Sequence, residues 1–120
     1  RRVEALAVPG GRPLPGEAIV RKHYPNAFQD TGLLEVLQGA GGKALIIAGA
    51  MSHMCIDATV RAACDLGYRC LVAEDACATR ALAFGQETVP AAKVHAAFMA
   101  ALSAAYAQVQ STEELIQEIP

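Results

Sequence analysis

The sequence predicts an α/β fold in which strands and helices alternate along a single domain of 120 residues. Residues 43–49 form a continuous apolar run and residues 68–73 a second apolar segment, and both have the length of strands. Such runs are typical of strands that are buried on both faces of a parallel sheet. Segments with helical spacing of apolar residues lie around these runs. This alternation predicts a parallel sheet whose strands are joined by right-handed crossovers.

The first half of the chain is predicted to contain a strand, a helix and a second strand. Residues 17–22 have the composition of a short strand. Apolar residues then recur at helical spacing after Thr31, which is placed to cap a helix, and the glycines at 39–42 end that helix. The apolar run at residues 43–49 follows as the first buried strand.

The second half of the chain continues the alternation. A helix is expected at residues 55–66, between the two apolar runs. Pro90 opens a long helix, because proline is tolerated at the first helical position. A short strand is expected at residues 107–109, after which Ser111 and Glu114 form an S-x-x-E capping box that opens the last helix.

The composition excludes several classes of function. Hydrophobic residues make up 53% of the chain and charged residues 18%, so the chain is apolar enough to fold. The formal net charge is -2, and without excess positive charge we expect no binding to nucleic acid. The apolar stretch at residues 44–51 is far shorter than the roughly 20 residues of a membrane-spanning helix. Four cysteines without a C-x-x-C pair predict reduced thiols in a cytoplasmic protein and no structural metal site.

Cys55 is the strongest candidate for chemistry. It stands where a helix is expected to begin, shortly after a buried strand, and ligands of open parallel sheets bind at the carboxyl ends of the strands. A thiol at a helix N-terminus lies beside the positive end of the helix dipole and beside unpaired N–H groups. Both favour the reactive thiolate, and the same N–H groups can bind an oxyanion. The alternative is that Cys55 is a small buried apolar residue, the usual fate of a free cysteine.

Other polar residues are predicted near the same edge of the sheet. Lys22 ends the first expected strand and either stabilises a thiolate or is an ordinary solvated lysine. His53 lies in the connection before Cys55 and is either a general base or a polar surface residue. His95 is expected to pack within its helix, and Asp75 either caps a turn or lines a pocket.

Two segments carry motifs that are specific in their order and spacing. Residues 49–59 read GAMSHMCIDAT, and residues 15–33 contain P-G-E, then a lysine, an A-F pair and T-G-L. These motifs resemble those of the isochorismatase-like cysteine hydrolases, the superfamily that includes nicotinamidase and N-carbamoylsarcosine amidase. The ordered match covers about residues 12–118. The resemblance implies a three-layer αβα fold with a mostly parallel, Rossmann-like sheet over a single domain at residues 1–120.

The resemblance also implies roles for individual residues. Cys55 matches the family's nucleophile, and Lys22 matches the lysine that stabilises its thiolate. Ala50 and Met51 match a pair that the family joins by a cis peptide bond. This bond would bring the backbone N–H groups of Met51 and Cys55 together as an oxyanion hole.

The activity that the resemblance implies is hydrolysis of a C–N bond in a small amide through a thioester intermediate. Phe28 and His53 are expected to line the substrate pocket. No metal and no cofactor are expected. The expected partners are a small-molecule substrate and further copies of the same chain, in a dimer or a tetramer.

One residue of the family pattern is missing. The family's general base is an aspartate at the end of a first strand, upstream of the lysine. Between Arg1 and Arg21 the only acidic residues are Glu4 and Glu17, and neither follows a hydrophobic strand. We therefore expect the chain to lack the family's N-terminal strand and to be part of a longer domain. The alternative is a catalytically incomplete protein that binds a small molecule or serves as a subunit of an oligomer.

Overall fold

The computed structural model describes residues 13–119, in which helices and strands alternate. A π-helical turn at Ser52–Ile56 runs directly into the second α-helix. The helices and strands, in chain order, are α1 (Leu33–Ala40), β1 (Ala44–Ala50), α2 (Asp57–Asp65), β2 (Arg69–Ala78), β3 (Leu82–Phe84), β4 (Glu87–Val89), α3 (Ala91–Ala105), β5 (Ala107–Gln110) and α4 (Thr112–Glu118).

The main sheet is parallel and has the strand order β1-β2-β5. Its central strand, β2, pairs with β1 from Arg69 onwards and with β5 from Cys70 onwards. Residues 70–73 of β2 are buried, as expected for a strand with neighbours on both edges and helices packed against it. This arrangement confirms the predicted α/β class with a mostly parallel sheet.

The hydrophobic core lies between this sheet and the helices α2 and α3. Val60 and Ala63 of α2 pack with Val72 of β2 and Leu102 of α3, and all four side chains are fully buried. Val60 and Ala63 are three residues apart, so one face of α2 carries both. The core therefore holds α2, and with it the π-helical turn, against the carboxyl end of β1.

The structure corrects several predicted elements. Residues 17–22 form no strand, because within the described part of the chain no neighbouring strand lies alongside to share backbone hydrogen bonds. The second buried strand is longer than predicted, since its last two residues pair with Gly49 and Ala50 of β1. The antiparallel β3–β4 hairpin was not predicted. Gly32 occupies the N-cap position of α1, while the hydroxyl of Thr31 accepts a hydrogen bond from the N–H of Leu33, the first residue of the helix, at 3.2 Å. Pro90 is the N-cap of α3 rather than its first residue.

None of the helices within residues 13–119 combines the length and the apolar character needed to cross a lipid bilayer. The longest of them, α3, has 15 residues. Spanning the hydrocarbon core of a bilayer takes about 20 residues of helix.

Two sets of hydrogen bonds form at the start of the last helix, and the second of them attaches the helix to the sheet. The predicted capping box is confirmed: Glu114 N–H donates to the Ser111 hydroxyl, and Ser111 N–H donates to the Glu114 carboxylate. The Asp75 carboxylate, on β2, accepts hydrogen bonds from the N–H of Thr112 at 2.7 Å and from its hydroxyl at 2.6 Å. These bonds hold the pKa of Asp75 below its ordinary value, and the bonds from Ser111 do the same for the pKa of Glu114.

Replacing Asp75 with asparagine should destabilise the protein in a pH-dependent way. Because the pKa of Asp75 is lower in the folded protein, its charge favours folding above the ordinary aspartate value of about 4. This contribution is lost as the pH falls through the folded-state pKa. In urea unfolding followed by circular dichroism, we expect Asp75→Asn to be less stable than the unmodified protein at neutral pH. The difference should shrink steadily below about pH 4. A difference that stays constant over this range would contradict the assignment.

Candidate active site

Cys55 lies on the π-helical turn that follows β1. The N–H groups of Met54 and Ile56 both donate to the carbonyl oxygen of Met51, at 3.0 and 3.2 Å. The second of these bonds spans five residues, which makes the turn wider than an α-helical one, and such turns are frequent at functional sites. Helical winding thus begins at Ser52 rather than at Cys55, and the Cys55 side chain is half-buried.

Lys22 reaches Cys55 from the irregular segment that precedes α1. Its Nζ donates a hydrogen bond to Sγ of Cys55 at 3.3 Å, and both side chains are half-buried. The two residues are 33 positions apart, so tertiary folding alone brings them together. An ammonium group at this distance stabilises a negative sulfur, and partial exclusion of water strengthens the attraction.

The connection between β1 and the turn brings Met51 and Cys55 close to each other. The peptide bond between Ala50 and Met51 is cis, at the position that the resemblance implied. Gly49, just before it, has a φ of 137°, which side-chain-bearing residues rarely adopt. Because the Met51 carbonyl closes the π-helical turn on Ile56, Met51 and Cys55 belong to the same turn.

Ser52 fastens this turn to two other elements. Its side chain is fully buried, and its hydroxyl lies 2.8 Å from Nδ1 of His95 on α3 and 3.4 Å from the carbonyl oxygen of Ala78 on β2. The hydroxyl has one proton, so it donates to one of these partners; when it donates to Ala78, it accepts from His95. His95 therefore makes a polar contact with the turn that carries Cys55.

His53 is held by residues of two other segments. Its Nδ1 lies 2.8 Å from the Thr79 hydroxyl, and its ring packs edge-on against Phe98 of α3 with the ring centroids 6.0 Å apart. The hydrogen bond of its Nδ1 thus leads to Thr79 and not to Cys55. Phe28, the other expected pocket residue, is half-buried and packs against the hydrophobic core. That these two residues line a substrate pocket stays a prediction.

A carboxylate beside the cysteine is not found within residues 13–119. Over that range, Lys22 is the hydrogen-bond partner of Cys55, and no carboxylate is paired with either residue. Glu17 instead accepts a hydrogen bond from the N–H of Leu14, and Glu4 lies outside the described residues. The same range contains no group of three His, Cys, Asp or Glu side chains that could hold a metal ion.

The family of this chain follows from a comparison of its sequence, and the fold and the π-helical turn that carries Cys55, called here the cysteine turn, agree with it. The family model of the isochorismatase domain matches residues 3–114. The chain belongs to the isochorismatase family. The structure brings together, at the carboxyl end of β1, residues that carried the resemblance in the sequence: Lys22 and the segment 49–59.

Known members of the family share both sequence and structure with this chain. It is 53% identical over 106 residues to the isochorismatase family protein YddQ of Bacillus subtilis, covering 88% of this chain and 59% of that protein. The crystal structure of a protein described as an isochorismatase hydrolase from Oleispira antarctica superimposes with a TM-score of 0.85 and is 62% identical. That match covers 88% of this chain and 56% of the other.

A more distant structural relative has a name that describes its chemistry. A cysteine hydrolase from Pseudomonas syringae superimposes with a TM-score of 0.85 at 25% identity, over 88% of this chain and 50% of that one. The chain thus spans between half and three-fifths of the length of these relatives.

Truncating Ser52 to alanine should destabilise the protein by about 1–3 kcal/mol, because it removes the contacts that the hydroxyl of this fully buried side chain makes with His95 and Ala78. Chemical denaturation measures this loss. The matched control is Ser103→Ala on the exposed side of α3, which we expect to change stability by less than about 0.5 kcal/mol. Equal effects of the two substitutions would show that the Ser52 contacts contribute nothing.

Proposed function

We propose that the protein is a cysteine-dependent hydrolase that cleaves a C–N bond of amide type in a small molecule. The observation that carries this proposal is the pair formed by Lys22 Nζ and Cys55 Sγ, 3.3 Å apart at the carboxyl end of β1. A half-buried thiol hydrogen-bonded to a lysine has the setting of an activated nucleophile. A purely structural cysteine needs no such partner.

In the first step, the Cys55 thiolate attacks the carbonyl carbon of the amide and a carbon–sulfur bond forms. In this proposal the carbonyl oxygen becomes an oxyanion, which accepts hydrogen bonds donated by the backbone N–H groups of Met51 and Cys55. The positive charge of Lys22 offsets the negative charge that passes from sulfur to oxygen. When the tetrahedral intermediate collapses, the C–N bond breaks and the nitrogen leaves as an amine, carrying the proton that the thiol gave up.

In the second step, water hydrolyses the thioester. The oxygen of water attacks the same carbonyl carbon, and the carbon–sulfur bond breaks as the second tetrahedral intermediate collapses. One proton of the water stays on the carboxylic acid product and the other is released, which replaces the proton that left with the amine and leaves the Cys55 thiolate regenerated. The overall reaction consumes one water molecule and leaves the protein unchanged.

Two further observations support this chemistry. The cysteine hydrolase from Pseudomonas syringae shares the fold over most of this chain. The motifs at residues 15–33 and 49–59 resemble those of nicotinamidase and N-carbamoylsarcosine amidase, whose names describe amide substrates. We extend the proposal to a small-molecule substrate in contact with Phe28 and His53.

Replacing Cys55 with serine should abolish hydrolysis of amides without unfolding the protein. A serine hydroxyl is a far weaker acid than a thiol, so beside Lys22 it stays protonated and is a far weaker nucleophile. Ammonia or amine release from a panel of small amides measures the activity, and circular dichroism reports the fold. The control is Cys64→Ser, at the other half-buried cysteine of the same helical segment, which should keep full activity.

Hydrolysis at an undiminished rate in Cys55→Ser would exclude the thioester mechanism. A protein that binds an amide of the panel but hydrolyses none of them would instead support the alternative, a catalytically incomplete family member that binds a small molecule.

Iodoacetamide should modify Cys55 faster than Cys70 and Cys77 at neutral pH. Lys22 stabilises the thiolate of Cys55, whereas burial raises the pKa of the Cys70 and Cys77 thiols and keeps them protonated. Mass spectrometry of the digested protein gives the rate at each site. We expect Cys55 to react at least about 10-fold faster than Cys70 or Cys77. Faster modification of Cys70 or Cys77 would contradict the proposed activation.

A further inference from the structure

The segment that carries Lys22 has no strand or helix of its own before α1. Residues 17–22 form no ladder within the described part of the chain, so the sheet does not fix their position. Irregular segments of this kind are more mobile than the elements that they connect. The 3.3 Å contact between Lys22 and Cys55 therefore depends on other attachments that hold the segment against the helices.

One such attachment is the hydroxyl of Thr59. This residue follows Cys55 by four positions, one helical turn further along, in α2. Its Oγ1 accepts a hydrogen bond from the N–H of Ala27 at 3.0 Å and donates to the carbonyl oxygen of Pro25 at 3.3 Å. The hydroxyl thus both donates a hydrogen bond to, and accepts one from, the backbone of the segment that follows Lys22.

The segment around Ala27 is itself a tightly bonded unit. The carbonyl oxygen of Ala27 accepts a hydrogen bond from the Thr31 hydroxyl at 2.6 Å, and the N–H of Phe28 donates to the Asn26 side chain at 3.0 Å. Phe28 packs against the core. Because Ala27 is bonded on both sides, a hydrogen bond from its N–H to Thr59 holds the whole unit rather than one peptide group.

We propose that Thr59 is a positioning residue whose hydroxyl holds residues 25–27 against α2 and thereby places the Lys22 ammonium on the Cys55 thiol. Cys55 and Thr59 lie on one continuous helical segment, so both contacts of the Lys22 segment are made to the same rigid body. The inference rests on the proposed function, because it assumes that Lys22 activates Cys55. Thr59 contacts neither the thiol nor Lys22 in this scheme and acts only through the backbone.

The test is the rate at which iodoacetamide alkylates Cys55 in the intact protein at neutral pH. Thr59→Val removes the hydroxyl but keeps the shape of the side chain, and we expect the rate to fall by about 3- to 10-fold. Thr59→Ser, which restores the hydroxyl, should recover most of the rate. Each rate is measured at a temperature at which circular dichroism shows that the variant is folded, and Thr59→Ala serves as a second hydroxyl-free variant.

The matched control is Thr112→Val at the start of α4. This substitution also removes a hydroxyl hydrogen bond, the one from Thr112 to Asp75. Thr112 lies on α4, however, and not on α2, the helix whose Thr59 holds residues 25–27. We expect Thr112→Val to lower the melting temperature without changing the alkylation rate of Cys55. If the alkylation rate of Cys55 falls as much in Thr112→Val as in Thr59→Val, the effect is a general loss of stability and the inference is overturned.

A double-mutant cycle with Lys22→Met separates the inference from the proposed function. If Thr59 acts through Lys22, Thr59→Val should have little further effect on the alkylation rate once Lys22 is replaced. If the two substitutions lower the alkylation rate of Cys55 additively, the positioning role of Thr59 alone is overturned. The same holds if Lys22→Met slows alkylation while Thr59→Val leaves its rate unchanged. An unchanged rate in Lys22→Met itself would overturn the activation by Lys22, and with it both proposals.

Discussion

The central position of β2 is the constraint on which the rest of the structure depends. This strand pairs with β1 on one edge and β5 on the other, and residues 70–73 are buried beneath helices. The buried side chains of Val60, Val72 and Leu102 lock α2 and α3 against it. Its far end also pairs with Gly49 and Ala50, which brings the carbonyl oxygen of Ala78 to the Ser52 hydroxyl. The cysteine turn is therefore held by the same strand that organises the core.

The site draws on separate parts of the chain, and each supplies a different physical contribution. The π-helical turn supplies Cys55, and the irregular segment before α1 supplies the charge of Lys22. The end of β2 and the side chain of His95 enclose the buried Ser52 hydroxyl between them. These contacts leave the thiol half-exposed while its supporting turn is rigid, a combination suited to a nucleophile that must meet a substrate from solution.

The sequence predicted most of the fold because its signals are local. Continuous apolar runs marked β1 and the start of β2, and the S-x-x-E pattern marked α4 correctly. Residues 17–22 look like a strand by composition, but a strand exists only where a neighbour shares its backbone hydrogen bonds. The last residues of β2 and the β3–β4 hairpin were missed for the converse reason, because pairing partners and not composition make them strands.

By itself, the sequence determined the α/β class, the place of Cys55 near the beginning of a helical segment and, through its motifs, the resemblance to the isochorismatase-like family. Composition, apolar periodicity and motif order are properties of the chain alone, which is why they could be read directly. Only the tertiary structure decided that Lys22 meets Cys55 and that Ser52 meets His95. It likewise decided that Thr59 holds Ala27. These pairs are more than 30 positions apart, so no local pattern encodes them; they form because burial of the core fixes where the separate segments cross.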